Sequence, residues 1–319
     1  MVLQASRAGL AAALLLLPLV SRATGVVVPR GVQAPDAQPP ALLVSAHELS
    51  RELRDPSLVL LQVGPKEDYD AGHIEGARFV QMQDLAAPRA EGTPVLELPD
   101  EAELRNRLEG LGIGDGSRVV VVAGADWASP ATRVLFTLQA AGLGARSRLL
   151  DGGSEGWKRA QLPVTTAVPP VPARGRLTIP ADRSIVVDHA WVQSHVGAPG
   201  VRIIDARAPM FFEGPGMRDH KAGHIPGARN VPFNTVMNDS LQVVPVAELR
   251  RMFAAAGVQP GDTVAAYCHI GQQATLVVLA ARLAGIPVRL YDGSFTDWEG
   301  RKLPVENAKA PGGGARPGR

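Results

Sequence analysis

The chain has 319 residues, 45% of them hydrophobic, which is enough for two ordinary domains of roughly 100–200 residues each. Lys and Arg total 33 against 31 Asp and Glu; with a net charge of +2 and no basic run, there is no electrostatic footprint for nucleic acid. A single cysteine, Cys268, excludes an internal disulfide framework and any multi-cysteine metal site, and the seven histidines show no ligand spacing, so neither metal nor organic cofactor is expected.

Arg7 precedes an apolar run from Ala8 to Val20, and Ser21-Arg22-Ala23 follows, which is the form of a secretory signal peptide over residues 1–23. The run is shorter than the about 20 residues that a membrane span needs. The expectation is an exported, periplasmic protein with no stable membrane association after cleavage. Residues 24–41 are rich in Pro and Ala without periodicity and read as a linker, whereas 307–319, built of Gly, Pro, Ala and Arg, read as a disordered tail.

Between these ends the chain repeats itself. Gly72-His73-Ile74-Glu75-Gly76-Ala77-Arg78 returns as Gly223-His224-Ile225-Pro226-Gly227-Ala228-Arg229, and Ala141-Gly142-Leu143 as Ala284-Gly285-Ile286. Asp151-Gly152-Gly153, followed by Trp157, returns as Asp292-Gly293-Ser294, followed by Trp298. The constant order implies two copies of one fold, at 42–167 and 181–306, joined by the proline-rich linker 168–180. In the second copy Ile185–Val187, Val201–Ile204, Thr263–Tyr267 and Val288–Leu290 read as strands, and His189–His195, Val246–Ala256 and Ala274–Ala284 as helices. Apolar strands alternating with helices imply an α/β fold, each copy a mostly parallel sheet with helices on both faces.

The strand Thr263–Tyr267 runs into Cys268-His269-Ile270-Gly271-Gln272-Gln273 and then into an unbroken helix-forming segment. A helix N-terminus carries N–H groups without intrahelical partners and the positive end of the helix dipole, a setting that favours an anion and suits a nucleophilic thiolate. Gly271 permits a backbone conformation that a side chain opposes.

The two copies act as an internal control. Setting Val119–Val122 against Val264–Tyr267 puts Ala123 where Cys268 stands. Setting Gln62-Val63-Gly64-Pro65 against Ile204-Asp205-Ala206-Arg207 leaves the first copy without the Asp and the Arg. Cys268, Asp205 and Arg207 are thus missing together, while the Gly-His-Ile and Asp-Gly motifs persist. The persistent motifs read as serving the fold and the missing trio as serving a reaction. Arg207 reads as an anion-binding group, Asp205 as its support, and His224 as a structural imidazole bonded to backbone. Gln272 and Gln273 offer neutral donors, and His269 either partial positive charge or a solvent-facing ring.

Paired halves with these motifs, and Cys268 opening a six-residue loop, resemble the tandem-domain rhodanese sulfurtransferases. The resemblance implies two rhodanese-like domains, the first lacking the catalytic cysteine. It implies a reaction in which Cys268 takes a sulfane sulfur from a donor such as thiosulfate, becomes a persulfide, and passes the sulfur to cyanide or a thiol. The implied partners are a small-molecule donor and acceptor, with a protein thiol as a further acceptor. Arg207, His269, Ile270, Gly271, Gln272 and Gln273 would contact substrate, with Asp205 and His224 in support. The loop has neither the Arg-Lys pair of thiosulfate-type loops nor the Ser-Gly pair of mercaptopyruvate-type loops. A 3-mercaptopyruvate donor and a non-enzymatic sulfur carrier therefore stand as alternatives. A rhodanese-like phosphatase needs an arginine six residues after its cysteine to cradle phosphate, and Ala274 stands there.

Overall fold

The computed structural model describes residues 41–88, 95–125, 127–213 and 223–306; the expected signal peptide, the first linker up to residue 40 and the tail lie outside them. Apolar runs of the first half form β1 (Leu43–Val44), β2 (Leu58–Val63), β3 (Ala77–Phe79), β4 (Arg118–Ala123) and β5 (Ser147–Leu150). The strands of the second half are β6 (Val186–Val187), β7 (Val201–Asp205), β8 (Arg229–Asn230), β9 (Thr263–Tyr267) and β10 (Val288–Tyr291). The sheet orders are β1-β5-β4-β2-β3 and β6-β10-β9-β7-β8, parallel throughout, so one topology occurs twice. The central strands are buried along nearly their whole length, as strands covered by helices on both faces must be.

The helices of the first half are α1 (Ala46–Glu52), α2 (Lys66–Ala71), α3 (Glu101–Gly110), α4 (Ser129–Leu138) and α5 (Gly153–Arg159). Those of the second are α6 (His189–Ser194), α7 (Pro209–Phe212), α8 (Val246–Ala255), α9 (Ala274–Leu283) and α10 (Ser294–Gly300). The expected Thr263–Tyr267 strand is found with those bounds, and the other expected elements agree to within a residue at each end. A 3-10 turn, Arg183–Ile185, takes the first residue of the expected Ile185–Val187 strand. Strand β8 and helix α7 are too short for periodicity to reveal. The expected linker 168–180 carries neither helix nor strand and is fastened to the first half: the Gly175 amide donates to Glu109 O (2.8 Å) and the Thr178 amide to Asp115 Oδ1 (2.7 Å).

Strand register settles which residues correspond between the halves. Val119 pairs with Ser147 and Val264 with Val288, and both partner strands run on for the same length into Asp151 and Asp292. Val119 therefore matches Val264, and Ala123 matches Cys268, as the sequence comparison has it. The second comparison is off by one residue. Val59 pairs with Val119 and Arg202 with Val264, so Gln62 matches Asp205 and Gly64 matches Arg207. Side chains alternate faces along a strand, so a one-residue slip would have turned each residue to the wrong side of the sheet. The conclusion that the first half lacks both the Asp and the Arg is unchanged.

The persistent motifs carry the same contacts in both halves. His73 stacks on Tyr69 (3.8 Å) with Nδ1 2.8 Å from Tyr69 O, and His224 stacks on Phe212 (3.9 Å) with Nδ1 3.0 Å from Phe212 O. The indoles of Trp157 and Trp298 donate to Pro163 O (2.9 Å) and Pro304 O (2.8 Å). Each half keeps an outer core around its tryptophan, while a single inner core runs from the first sheet through α4 and α9 to the second.

Helices α4 and α9 meet through equivalent residues. Gln272 Nε2 donates to Ser129 Oγ (2.9 Å), the hydroxyls of Thr132 and Thr275 lie 2.8 Å apart, and Arg282 donates to Gln139 Oε1. Each pair is separated by 143 residues, the same interval as Gly142 to Gly285. Contacts in matching order from N- to C-terminus mean that the helices lie side by side in the same direction, related by a local two-fold. Both helix N-termini, and both carboxyl edges of the sheets, consequently face one side of the molecule.

Candidate active site

Cys268 is the first residue beyond β9 and is 1% exposed. Its amide donates to Ser294 Oγ (3.2 Å), whose own hydroxyl donates to Tyr291 O (2.9 Å). The carbonyls of Cys268 and His269 accept from the amides of Phe295 (2.9 Å) and Thr296 (3.0 Å). The Asp-Gly motif thus forms the floor on which the loop rests. Ser294 holds a left-handed backbone (φ 54°), which a non-glycine residue adopts at a cost, and its counterpart in the first half is Gly153 (φ 56°). The change from Gly to Ser between the two motif copies was the readable signal of this role, and sequence reasoning missed it.

The loop turns at Gly271, with φ +77°; a Cβ there would lie 2.6 Å from Asp292 O. Both the backbone angle and the crowding require glycine. The amides of Thr275 and Leu276 are taken by Gln272 O (3.1 Å) and Gln273 O (3.1 Å). Those of residues 270 to 274 have no acceptor among the described residues. At the N-terminus of the buried helix α9 they are the donors available to an anion.

Asp205 and Arg207 come to the same place because the end of β7 lies beside the end of β9, with Asp205 paired to Tyr267 and the Ala206 amide donating to Tyr267 O (2.8 Å). Arg207 is 0% exposed. Its Nε donates to both Asp205 carboxylate oxygens (3.0 Å each), and its Nη2 to Asp205 Oδ2 (2.6 Å) and Gly223 O (2.6 Å). The guanidinium lies 4.0 Å from the Phe295 ring centroid. Burial works against its charge, but the hydrogen bonds and charge of Asp205, with Tyr267 and Cys268 nearby, outweigh that and hold it above the ordinary arginine value. Nη1 is buried without a partner among the described residues. Burial, and then the Asp205 carboxylate, push the Tyr267 phenol well above its ordinary range, so it stays neutral and accepts from the Ile225 amide (3.1 Å).

Other expected contacts are used differently. The Gln272 side-chain amide is spent on Ser129, across the interface. His269 and Ile270 are half-buried, His269 edge-on to Phe211 at 4.7 Å. Gln273 precedes α9 without capping it through its side chain. His224 sits behind the site, next to the Gly223 carbonyl that Arg207 binds. Arg133 and Asp292, which frame the loop from the interface side, were not anticipated, because nothing local in the sequence shows which surface of the first half meets the loop. No group of metal-ligating side chains occurs among the described residues, and none of their helices is long and apolar enough to cross a membrane.

Comparison with known proteins gives a consistent picture. A family model described as a rhodanese-like domain matches residues 45–160 and again 188–301. A Pseudomonas aeruginosa protein named "probable 3-mercaptopyruvate sulfurtransferase" is 35% identical over 274 residues, covering 81% of this chain and 95% of its own length. The thiosulfate sulfurtransferase of Gallus gallus is 30% identical over 243 residues, covering 75% and 82%. Among solved structures, the 3-mercaptopyruvate sulfotransferase SseA of Escherichia coli superposes with a TM-score of 0.71 at 25% identity, covering 80% of this chain and 99% of that one.

Proposed function

The chain belongs to the rhodanese family as a tandem-domain sulfurtransferase, and we propose that it moves a sulfane sulfur from thiosulfate to a thiophilic acceptor through a persulfide on Cys268. The observation that carries this reading is the position of the only cysteine: at the end of β9, in a loop whose amides from 270 to 274 have no acceptor among the described residues, in the one half that also has Asp205 and Arg207. The Cys268 thiolate attacks the outer sulfur of thiosulfate; a new S–S bond forms, the old one breaks, and sulfite leaves with its electron pair. An acceptor such as cyanide then attacks the terminal sulfur, forms thiocyanate and releases the thiolate. Loop amides from 270 to 274 and the Nη1 of Arg207, which has no partner among the described residues, are the donors for the sulfonate end, while Asp205 orients the guanidinium. Burial of Cys268 keeps bulk water from the persulfide.

The Pseudomonas aeruginosa relative's name favours 3-mercaptopyruvate as a second donor, and His269 and Ile270, at the half-buried side of the loop, are where a carboxylate-bearing donor would be distinguished. The test is turnover with each donor, combined with intact-mass detection of one added sulfur on wild type and on Cys268→Ala. A mutant that retains activity refutes the mechanism, and a higher kcat/KM for 3-mercaptopyruvate moves the assignment to that donor. Sulfur uptake with no turnover to small acceptors would make the protein a carrier handing sulfur to a protein thiol. The apolar run at residues 8–20 supports export to the periplasm, which cell fractionation with and without residues 1–23 tests.

A further inference from the structure

One side chain reaches the catalytic loop in a way that the molecule's internal symmetry does not account for. Across the α4–α9 axis the halves exchange matching contacts: Asp292 Oδ2 accepts from the Leu98 amide (2.8 Å), and Asp151 Oδ1 accepts from the Val243 amide (3.0 Å). Arg133, in the first turns of α4, has no such counterpart, because 143 residues further on stands Leu276. Arg133 is 3% exposed. Its Nη1 donates to Asp292 Oδ1 (2.5 Å) and to Gly271 O (3.2 Å), and its Nη2 to Leu96 O.

Burying a guanidinium is costly unless its donors are matched, and two of the matching groups here belong to the loop and its floor. Gly271 is the left-handed turn of that loop, and a Cβ on it would lie 3.2 Å from Arg133 Nη1. A trans peptide is planar with its carbonyl and N–H opposed, so holding the Gly271 carbonyl toward Arg133 points the Gln272 N–H the other way. That N–H has no acceptor among the described residues. The Gln272 side chain is drawn toward the same interface by Ser129. Arg133 therefore sets the direction of the Gln272 N–H at the turn of the loop.

We propose that Arg133, supplied by the half without a cysteine, is a positioning residue for sulfur transfer: through Gly271 O and Asp292 it sets the loop so that its free amides face the donor's anionic end at Cys268. The proposal rests on Cys268 being the sulfur-carrying nucleophile.

The test compares the full chain with Arg133→Lys and with the double variant Arg133→Met, Asp292→Asn, which leaves no stranded buried charge. Sulfur loading by thiosulfate is followed by intact mass, turnover gives kcat and KM separately, and thermal melting reports the fold. In a double variant that melts near the wild type, kcat/KM for thiosulfate falls about 10²-fold, the scale of a loop misplaced by about 1 Å. Arg133→Lys, with charge but no fork, falls between. Wild-type kcat/KM in the folded double variant overturns the proposal. If the double variant melts early, Arg133→Lys decides, and unchanged kcat/KM in it overturns the proposal. A wild type that takes up no sulfur removes the reading of Cys268 and this proposal with it, whereas a wild type that takes up sulfur, with unchanged kcat/KM in the folded variants, removes this proposal alone.

Discussion

The two halves share a sheet order, a histidine bonded behind the sheet and an indole bonded to a proline carbonyl, yet their carboxyl edges differ at four matched positions. Ala123, Gln62, Gly64 and Gly153 in the first half stand where Cys268, Asp205, Arg207 and Ser294 stand in the second. The first half's edge carries a cavity of about 330 Å³ with Val63, Gly64, Pro65, Met82, Trp127 and Pro130 in its lining. The second half carries a buried ion pair and a buried thiol at its own carboxyl edge. One fold thus supports either surface, because the residues that build the sheet and those that do chemistry are different residues. What the first half keeps is its hold on the second, through Ser129, Thr132 and Arg133.

The sharpest way to break the comparison is to exchange the thiols. Cys268→Ala is expected to abolish sulfur transfer, and adding Ala123→Cys to it to restore none, since Gly64 supplies no guanidinium; intact mass after thiosulfate treatment checks both. Next in size is the buried pair. Arg207→Ala strands Asp205 and should cost about 3–5 kcal/mol in denaturant unfolding. The double variant Asp205→Gln, Arg207→Gly copies the first half, leaves no stranded charge, and should be the more stable of the two while still inactive.

The Asp-Gly aspartates come next. Asp151→Ala removes one cross-half hydrogen bond and should cost about 1–2 kcal/mol with little change in kcat, whereas Asp292→Ala also strands Arg133 and should lose more stability and most activity. Burial holds the Asp151 carboxyl above its ordinary value of 3.8, against the opposing pull of the Val243 amide. The folded state then binds the proton more tightly than the unfolded one, so this group's contribution to stability declines as pH rises through and above 3.8. Asp151→Asn should flatten that part of the pH profile in denaturant melts. The smallest effect on stability is expected for Ser294→Gly, which relieves a strained backbone worth about 1–3 kcal/mol but loses hydrogen bonds of about 1 kcal/mol each. Its melting temperature should stay near the wild type's while turnover falls, because the Cys268 amide loses its acceptor.

Much of this was legible in the sequence because the information is local or repeated. Strand β9 and helices α6, α8 and α9 follow from apolar runs and helical spacing, the duplicated fold from motif order, and the lone cysteine at a strand-to-helix turn from its neighbours alone. The absence of that cysteine from the matching position made it a candidate for chemistry. The sequence comparison slipped by one residue at Gln62 and Gly64, where no motif pins the register and only the hydrogen-bonded ladder does.

Tertiary structure alone decided how the halves meet. That α4 and α9 lie side by side, so that Thr132 bonds Thr275 and Arg133 reaches Gly271 and Asp292, depends on contacts between residues more than a hundred positions apart. No periodicity encodes such contacts. The same holds for Arg207, whose charge suggested an anion-binding group and whose burial against Asp205 and Phe295 leaves one nitrogen without a partner among the described residues. The sequence determined which residues were available for chemistry; packing determined which of their donors remained unspent.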